Sequence, residues 1–209
     1  MSHRKAINHL RKSDPRLAAV IDQVGPCTFE PAEGMAHFTA ITRSIVFQQL
    51  SGKAASTIYG RFAALFDDDT PVAHALLDLP DEKLRAAGLS RQKIGYLRDL
   101  AARVQAGDVP VDTLHELGDD DIIAALTSVK GIGRWTAQMF LMFRLGRPDV
   151  LPDLDLGIQK GIQRAYNMRK LPLPKRVLEV GAKWAPYRTI ASWYLWRSLD
   201  ITAENRQGK

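Results

Sequence analysis

Apolar residues recur at three- and four-residue intervals along most of the chain, and no run alternates long enough to read as a strand, so the pattern predicts an all-α protein. Residues 1–12 are basic and polar, with Ile7 and Leu10 as weak helix anchors. Asp14-Pro15 reads as an N-cap followed by proline at the first helical position. The helix it opens carries Leu17, Val20 and Ile21 and stops near Gly25-Pro26. Phe38, Ile41, Ile45 and Val46 give a helix over 35–50 one core-facing stripe. Ser51 is placed to cap the next helix, which carries Ile58, Phe62 and Leu65. Short helices are predicted over 74–77, 81–87 and 113–117, and one over 119–126 with Asp119 as N-cap. The helix over 134–145 is so apolar that it should be buried on most sides, as the central helix. Helices over 157–166, 174–183 and 186–199 follow, then a frayed polar tail over 201–209.

The most informative stretch is 126–144. It reads as a helix end, a tight turn carrying Gly131 and Gly133, then a second helix. Glycines allow positive φ and close approach of the backbone to a bulky group. The turn's amides and the next helix N-terminus make an anion site, because those N–H groups have no partner inside the helix. Lys130 and Arg134 add positive charge on either side, so a phosphate is the natural guest. Gly88-Leu-Ser-Arg91 echoes this turn and reads equally as a second phosphate grip, helped by Arg91 and Lys93, or as a chance similarity.

Composition narrows the class. A chain of 209 residues with 45% hydrophobic content can bury a real core. The net charge of +6 suggests an anionic partner, a feature also of ribosomal and heparin-binding proteins. The single cysteine, Cys27, excludes an intramolecular disulfide and a cysteine-ligated cluster, and the five histidines lack metal-ligand spacing. No secretion signal or membrane-spanning apolar run is evident. The expectation is an intracellular protein, in the cytoplasm or nucleoid if the source is bacterial, with no membrane partner.

Val129-Lys-Gly-Ile-Gly-Arg-Trp-Thr-Ala137 resembles the helix-hairpin-helix of the DNA glycosylase superfamily. That family places a catalytic aspartate roughly 20–25 residues beyond the hairpin, after a Gly/Pro-rich joint. Here Pro152-Asp-Leu-Asp-Leu-Gly157 offers Asp155, with Asp153 as the near alternative. Asp155 is preferred because it opens directly into a helix, where a cap position fixes a carboxylate rigidly. In relatives that also cut the strand, a lysine follows the second glycine by two positions; that position is Trp135, so no lyase activity is implied. The sequence most resembles the 3-methyladenine DNA glycosylase II branch. Lys130 departs from the proline common there. No room exists before Phe38 for the β-rich domain of the bacterial type enzyme, so the compact form is implied.

The resemblance implies a two-lobed all-α fold with an active-site cleft between lobes: one lobe of about 1–34 plus 147–209, the other of about 35–146. It implies hydrolysis of alkylated purines, of the 3-methyladenine and 7-methylguanine type, from double-stranded DNA by base flipping. Asp155 is the implied catalytic residue. Trp135, Trp196, Phe47 and Gln48 are the implied substrate pocket. Leu50, with Ser51 next, is the implied wedge within Phe47-Gln-Gln-Leu-Ser-Gly-Lys53. Lys130, Gly131, Ile132, Gly133, Arg134, Thr136, Lys53 and Arg91 are the implied phosphate contacts. No cofactor is required, although family hairpins often hold Na+ or K+ on backbone carbonyls, here those of Thr127, Val129 and Ile132. A monomer is the default. Core packing is an equal reading for Trp193 and Trp196, and Leu50 also reads as a core residue at a helix end. Three other classes stay open: a non-catalytic damage-sensing DNA-binding module, a glycosylase for deaminated or mismatched bases, and a basic helical scaffold or RNA-binding protein.

Overall fold

The structure, a computed structural model, describes residues 3–207, with side chains described for 3–201. All regular structure among these residues is helical. The first helices are α1 (Arg4–Ser13), α2 (Pro15–Val24), α3 (His37–Phe47), α4 (Gly52–Ala63), α5 (Ala73–Asp78) and α6 (Asp81–Ala86). They are followed by α7 (Arg91–Ala106), α8 (Asp119–Thr127), α9 (Arg134–Phe143), α10 (Leu156–Ala165), α11 (Pro174–Gly181) and α12 (Arg188–Gln207). Among the described residues, no helix is long and apolar enough to cross a membrane. The chain divides into two compact units: Met1–Pro31 with Leu141–Lys209, and Ala32–Phe140.

In the first unit α12 packs on α2 and α10. Leu10, Leu17, Ile21, Ile158, Ile162, Val177, Trp184, Tyr194 and Leu195 form its core. Full burial of each large apolar side chain contributes about 1.5–3 kcal/mol. Asp14 sits inside this apolar setting. Its Oδ1 caps α2 by accepting from the amides of Arg16 at 3.0 Å and Leu17 at 3.3 Å. Its Oδ2 accepts from Trp184 Nε1 at 2.7 Å and from the Tyr166 hydroxyl, with Lys183 Nζ at 3.3 Å. Burial pushes the Asp14 pKa up, but the Tyr166, Trp184 and Leu17 donors and the Lys183 charge outweigh it and hold the pKa below its ordinary value.

In the second unit α7 packs against α3, α5 and α6, and α3 against α4. Ile41, Ile45, Phe62, Leu76, Leu84, Leu97 and Leu100 are buried there.

Several local expectations change. Helix α3 stops at Phe47 because Gln48 is extended and Gln49 turns left-handed, with φ of 57°. Ser51 occupies the N-cap of α4, yet its side chain makes no capping bond. Gly118, not Asp119, is the N-cap of α8, which leaves Asp119, Asp120 and Asp121 in the first turn, where negative charge suits the helix N-terminus. The expected helix over 113–117 is a single 3-10 turn, Leu114–Glu116. Helix α9 is not buried on most sides: Ala137, Gln138, Leu141 and Met142 are buried, but Trp135 and Phe143 are 44% and 39% exposed. The expected frayed tail is helical to Gln207, and residues 208–209 lie outside the described residues.

Candidate functional site

The hairpin between α8 and α9 belongs to the second unit. Gly131 has φ of 82°, and an added Cβ would lie 2.2 Å from Tyr96 Cδ2, so the protein itself demands glycine there. Gly133 differs. Its φ is not positive and nothing lies within 4 Å of an added Cβ. No neighbour within the fold explains the missing side chain at 133, which leaves the backbone open to an outside partner. The N–H groups of Gly131, Gly133 and Thr136 meet no acceptor among the described residues. Ile132 is buried and its N–H closes the turn onto the Val129 carbonyl at 3.1 Å. Lys130 and Arg134 are exposed at the two shoulders.

Asp99 of α7 braces the hairpin. Its Oδ2 accepts from the Lys130 amide at 2.8 Å and from Arg103 Nε at 3.1 Å, and Lys130 Nζ stands 3.8 Å from Oδ1. Burial pushes the Asp99 pKa up, but the Lys130 amide and the Arg103 and Lys130 charges outweigh it and hold it low. Among the described residues, the carbonyls of Thr127 and Ile132 receive no N–H, and that of Val129 receives only the Ile132 amide. These oxygens therefore suit a hard monovalent cation in donor chemistry.

The joint between α3 and α4 is in the same unit. Leu50 is 38% exposed, and Ser51 and Lys53 are exposed beside it. Phe47 is half-buried; its ring meets the Tyr59 edge, and the Arg43 guanidinium lies 4.1 Å from its centroid. The Gln48 side chain donates from Nε2 to the Gly131 carbonyl at 3.0 Å, so this joint touches the hairpin directly.

The turn at Gly88 has φ of 101°, and Ser90 caps α7 by accepting from the Lys93 amide at 3.2 Å. Arg91 is exposed at the start of α7. The Lys93 side chain beside it is half-buried. Its ammonium donates to the carbonyls of Val46 and, at 2.9 Å, Gln48, closing the end of α3. Burial lowers its pKa.

Asp155 and Trp196 lie in the first unit. Asp155 is the N-cap of α10, and its Oδ1 accepts from the Ile158 amide at 2.8 Å. The same oxygen accepts from Trp196 Nε1 at 2.8 Å. Phe143 stacks on the Trp196 ring at 5.8 Å between centroids. Trp193 is instead a core residue, edge-on to Tyr194. Asp153 is buried, and its backbone carbonyl accepts from Gln159 Nε2 at 3.1 Å. The approach to Asp155 is stitched to the start of α12. Arg188 grips Asp149 with two bonds, at 2.7 and 2.8 Å, and Thr189 Oγ1 donates to the Arg147 carbonyl and accepts from the Val150 amide. One pair of exposed side chains frames the cap, since Leu154 and Leu156 on either side of Asp155 are both more than half exposed.

Sequence reasoning missed Tyr96, Asp99, Phe143 and Gly157. Only Gly157 left a local signal, a glycine two residues after Asp155, where an added Cβ would come within 2.7 Å of Trp196.

Residues 42–186 match the profile described as HhH-GPD superfamily base excision DNA repair protein. The chain is 34% identical over 202 residues to "DNA-3-methyladenine glycosylase 1" of Schizosaccharomyces pombe, covering 94% of this chain and 88% of that protein. The solved structure of the Schizosaccharomyces pombe 3-methyladenine DNA glycosylase in complex with abasic DNA covers 92% of this chain and 95% of its own, with a TM-score of 0.78 and 34% identity. A solved DNA-3-methyladenine glycosidase from Bacillus halodurans is similar at 38% identity and a TM-score of 0.87, over 98% of this chain and 94% of its own.

Proposed function

The chain belongs to the HhH-GPD superfamily of base excision DNA repair proteins, and on that premise we propose that it is a monofunctional glycosylase that hydrolyses the N-glycosidic bond of alkylated purines in duplex DNA. The lesions are of the 3-methyladenine and 7-methylguanine type, cationic bases whose bond to the sugar is already weakened. The product is an abasic site on an intact strand. The observation that carries the reading is the N-cap carboxylate of Asp155, whose Oδ1 is held by two donors at 2.8 Å.

Cleavage of the base–sugar bond leaves positive charge on the deoxyribose, as in glycoside cleavage. A carboxylate already fixed in place stabilises that charge without reorganising, and orients or deprotonates the attacking water. The target base leaves the stack at a cost of about a few kcal/mol. Leu50, with Ser51 beside it, fills the gap as an apolar wedge. Gly131, Gly133 and Thr136 supply N–H groups to a backbone phosphate, and Lys130, Arg134, Lys53 and Arg91 supply charge. A Na+ or K+ held by the carbonyls of Thr127, Val129 and Ile132 would add charge at the same phosphate. Trp135, Trp196 and Phe47 each carry a ring face that attracts a cationic purine. Trp135 stands where a strand-cutting relative carries its Schiff-base lysine, so hydrolysis ends at the abasic site. The working species is a monomer, and no redox or organic cofactor takes part.

The test is release of methylated purines from alkylated duplex DNA by the wild type and by Asp155→Asn. A protein that binds the duplex and releases nothing would instead fit a damage-sensing module, or a glycosylase for deaminated or mismatched bases.

A further inference from the structure

The turn that carries Leu50 is strained and yet held. The Phe47 carbonyl accepts from the Leu50 amide at 3.4 Å, Gln48 has φ of −54° and ψ of 132°, and Gln49 has φ of 57°. These are the angles of a type II turn, whose third position ordinarily belongs to glycine. A side chain there costs free energy, and such backbone persists where its surroundings over-determine it.

The surroundings come from one face of α7. Lys93, Tyr96 and Asp99 recur every three residues, so they share a face of that helix. Lys93 donates to the carbonyls of Val46 and Gln48, on the turn and the helix end before it. Tyr96 packs its ring against Gly131, and Asp99 accepts from the Lys130 amide, both on the hairpin. The Gln48 side chain closes the circuit by donating to the Gly131 carbonyl at 3.0 Å. The turn and the hairpin are thus joined twice, once directly and once through α7.

We propose that Gln48 and the Lys93–Tyr96–Asp99 face of α7 are positioning residues that lock the Leu50 turn to the phosphate-binding hairpin. This rests on the glycosylase reading for the presence of a DNA wedge. A wedge displaces a base only if its footing does not yield. With the footing tied to the element that grips the phosphates, binding energy at the hairpin is delivered to Leu50 rather than lost in the turn.

The experiment uses duplex DNA carrying a stable tetrahydrofuran abasic analogue with 2-aminopurine beside it, whose fluorescence rises when stacking is broken. Gln48→Ala, Leu50→Ala and the double variant are compared with wild type, together with single-turnover release of 7-methylguanine. Gln48 lies at the surface, and a thermal melt of each variant checks folding. Wild type should raise the fluorescence and Leu50→Ala should not. Gln48→Ala should weaken the rise and slow release by about fivefold, the worth of one hydrogen bond, with unchanged affinity for undamaged duplex. The double variant should match Leu50→Ala, because the tether acts only through the wedge. Gln48→Glu keeps the shape without the donor and should behave as Gln48→Ala. The proposal is overturned if Gln48→Ala equals wild type, if the two effects multiply, or if wild type gives no rise. The fluorescence needs no base release, so it decides the tether even if wild type excises nothing, an outcome that would sink the glycosylase reading alone.

Discussion

The indole N–H of Trp196 donates to Oδ1 of Asp155 at 2.8 Å, across 41 residues of sequence. A tryptophan has one polar atom, a donor, and here that atom holds the carboxylate. Gly157 makes the approach feasible, since a Cβ at that position would lie 2.7 Å from Trp196 Cδ1 and 2.9 Å from Asp155 Oδ1.

Trp196→Phe keeps an aromatic ring against Phe143 and deletes the donor. A hydrogen bond to a charged group contributes about 1.5–3 kcal/mol, so single-turnover base release should fall roughly 10- to 100-fold. Affinity for undamaged duplex should stay near wild type. Gly157→Ala should slow release comparably by forcing the pair apart. Wild-type rates in Trp196→Phe would show that the bond does not position the carboxylate.

The two hairpin glycines should separate fold from binding. Gly131→Ala meets the Tyr96 ring and a positive φ, and should cost about 1–3 kcal/mol of stability. Gly133→Ala meets nothing in the protein and should melt near wild type, within about 1 kcal/mol, yet bind duplex DNA more weakly because the methyl group stands where a phosphate approaches. Thermal melts and duplex titrations check both. Equal DNA affinity for Gly133→Ala and wild type would remove the hairpin amides from the contact surface.

Much of this was legible in the chain. Asp14-Pro15 opened α2 as read, because capping chemistry is local. Asp155 at the head of α10 was legible for the same reason. The hairpin glycines were legible as a motif, but the reason for Gly131 was not, because Tyr96 reaches it from another helix. Lys93 read as a helper of a second phosphate grip, and only the fold brings the carbonyls of Val46 and Gln48 to it. Trp193 and Trp196 read alike on one helix, and their separation into core and carboxylate partner came from what packs against each face. Periodicity also overran α3, since Gln48-Gln49 carries no glycine or proline to mark the turn.

Basic side chains at different stations should respond differently to salt. Lys53 and Arg91 are exposed, so Lys53→Ala and Arg91→Ala should each flatten the log–log salt dependence of duplex binding by about 0.9. Lys93→Met should leave the slope alone and lower the melting temperature. An unchanged slope in Arg91→Ala would mark the Gly88 turn as a helix joint and nothing more.

Acid should weaken the first unit through Asp14. Its pKa in the folded state lies below the 3.8 of an ordinary aspartate, so its contribution is fully present above that value and is lost as pH falls through the folded pKa. Asp14→Asn should therefore lower stability by about 2–4 kcal/mol near neutral pH, and the gap from wild type should close as pH drops below about 4. Melts from pH 7 to pH 3 read this directly. A gap that is constant with pH would mean that the Asp14 charge contributes nothing.

In the proposed reaction Asp155 carries base excision. Methylated duplex DNA is incubated with wild type, Asp155→Asn and Asp153→Asn, and released 3-methyladenine and 7-methylguanine are measured alongside duplex affinity. Wild type and Asp153→Asn should release both bases, and Asp155→Asn should lose at least about 100-fold with binding retained. Release by Asp155→Asn at the wild-type rate would contradict that role for Asp155.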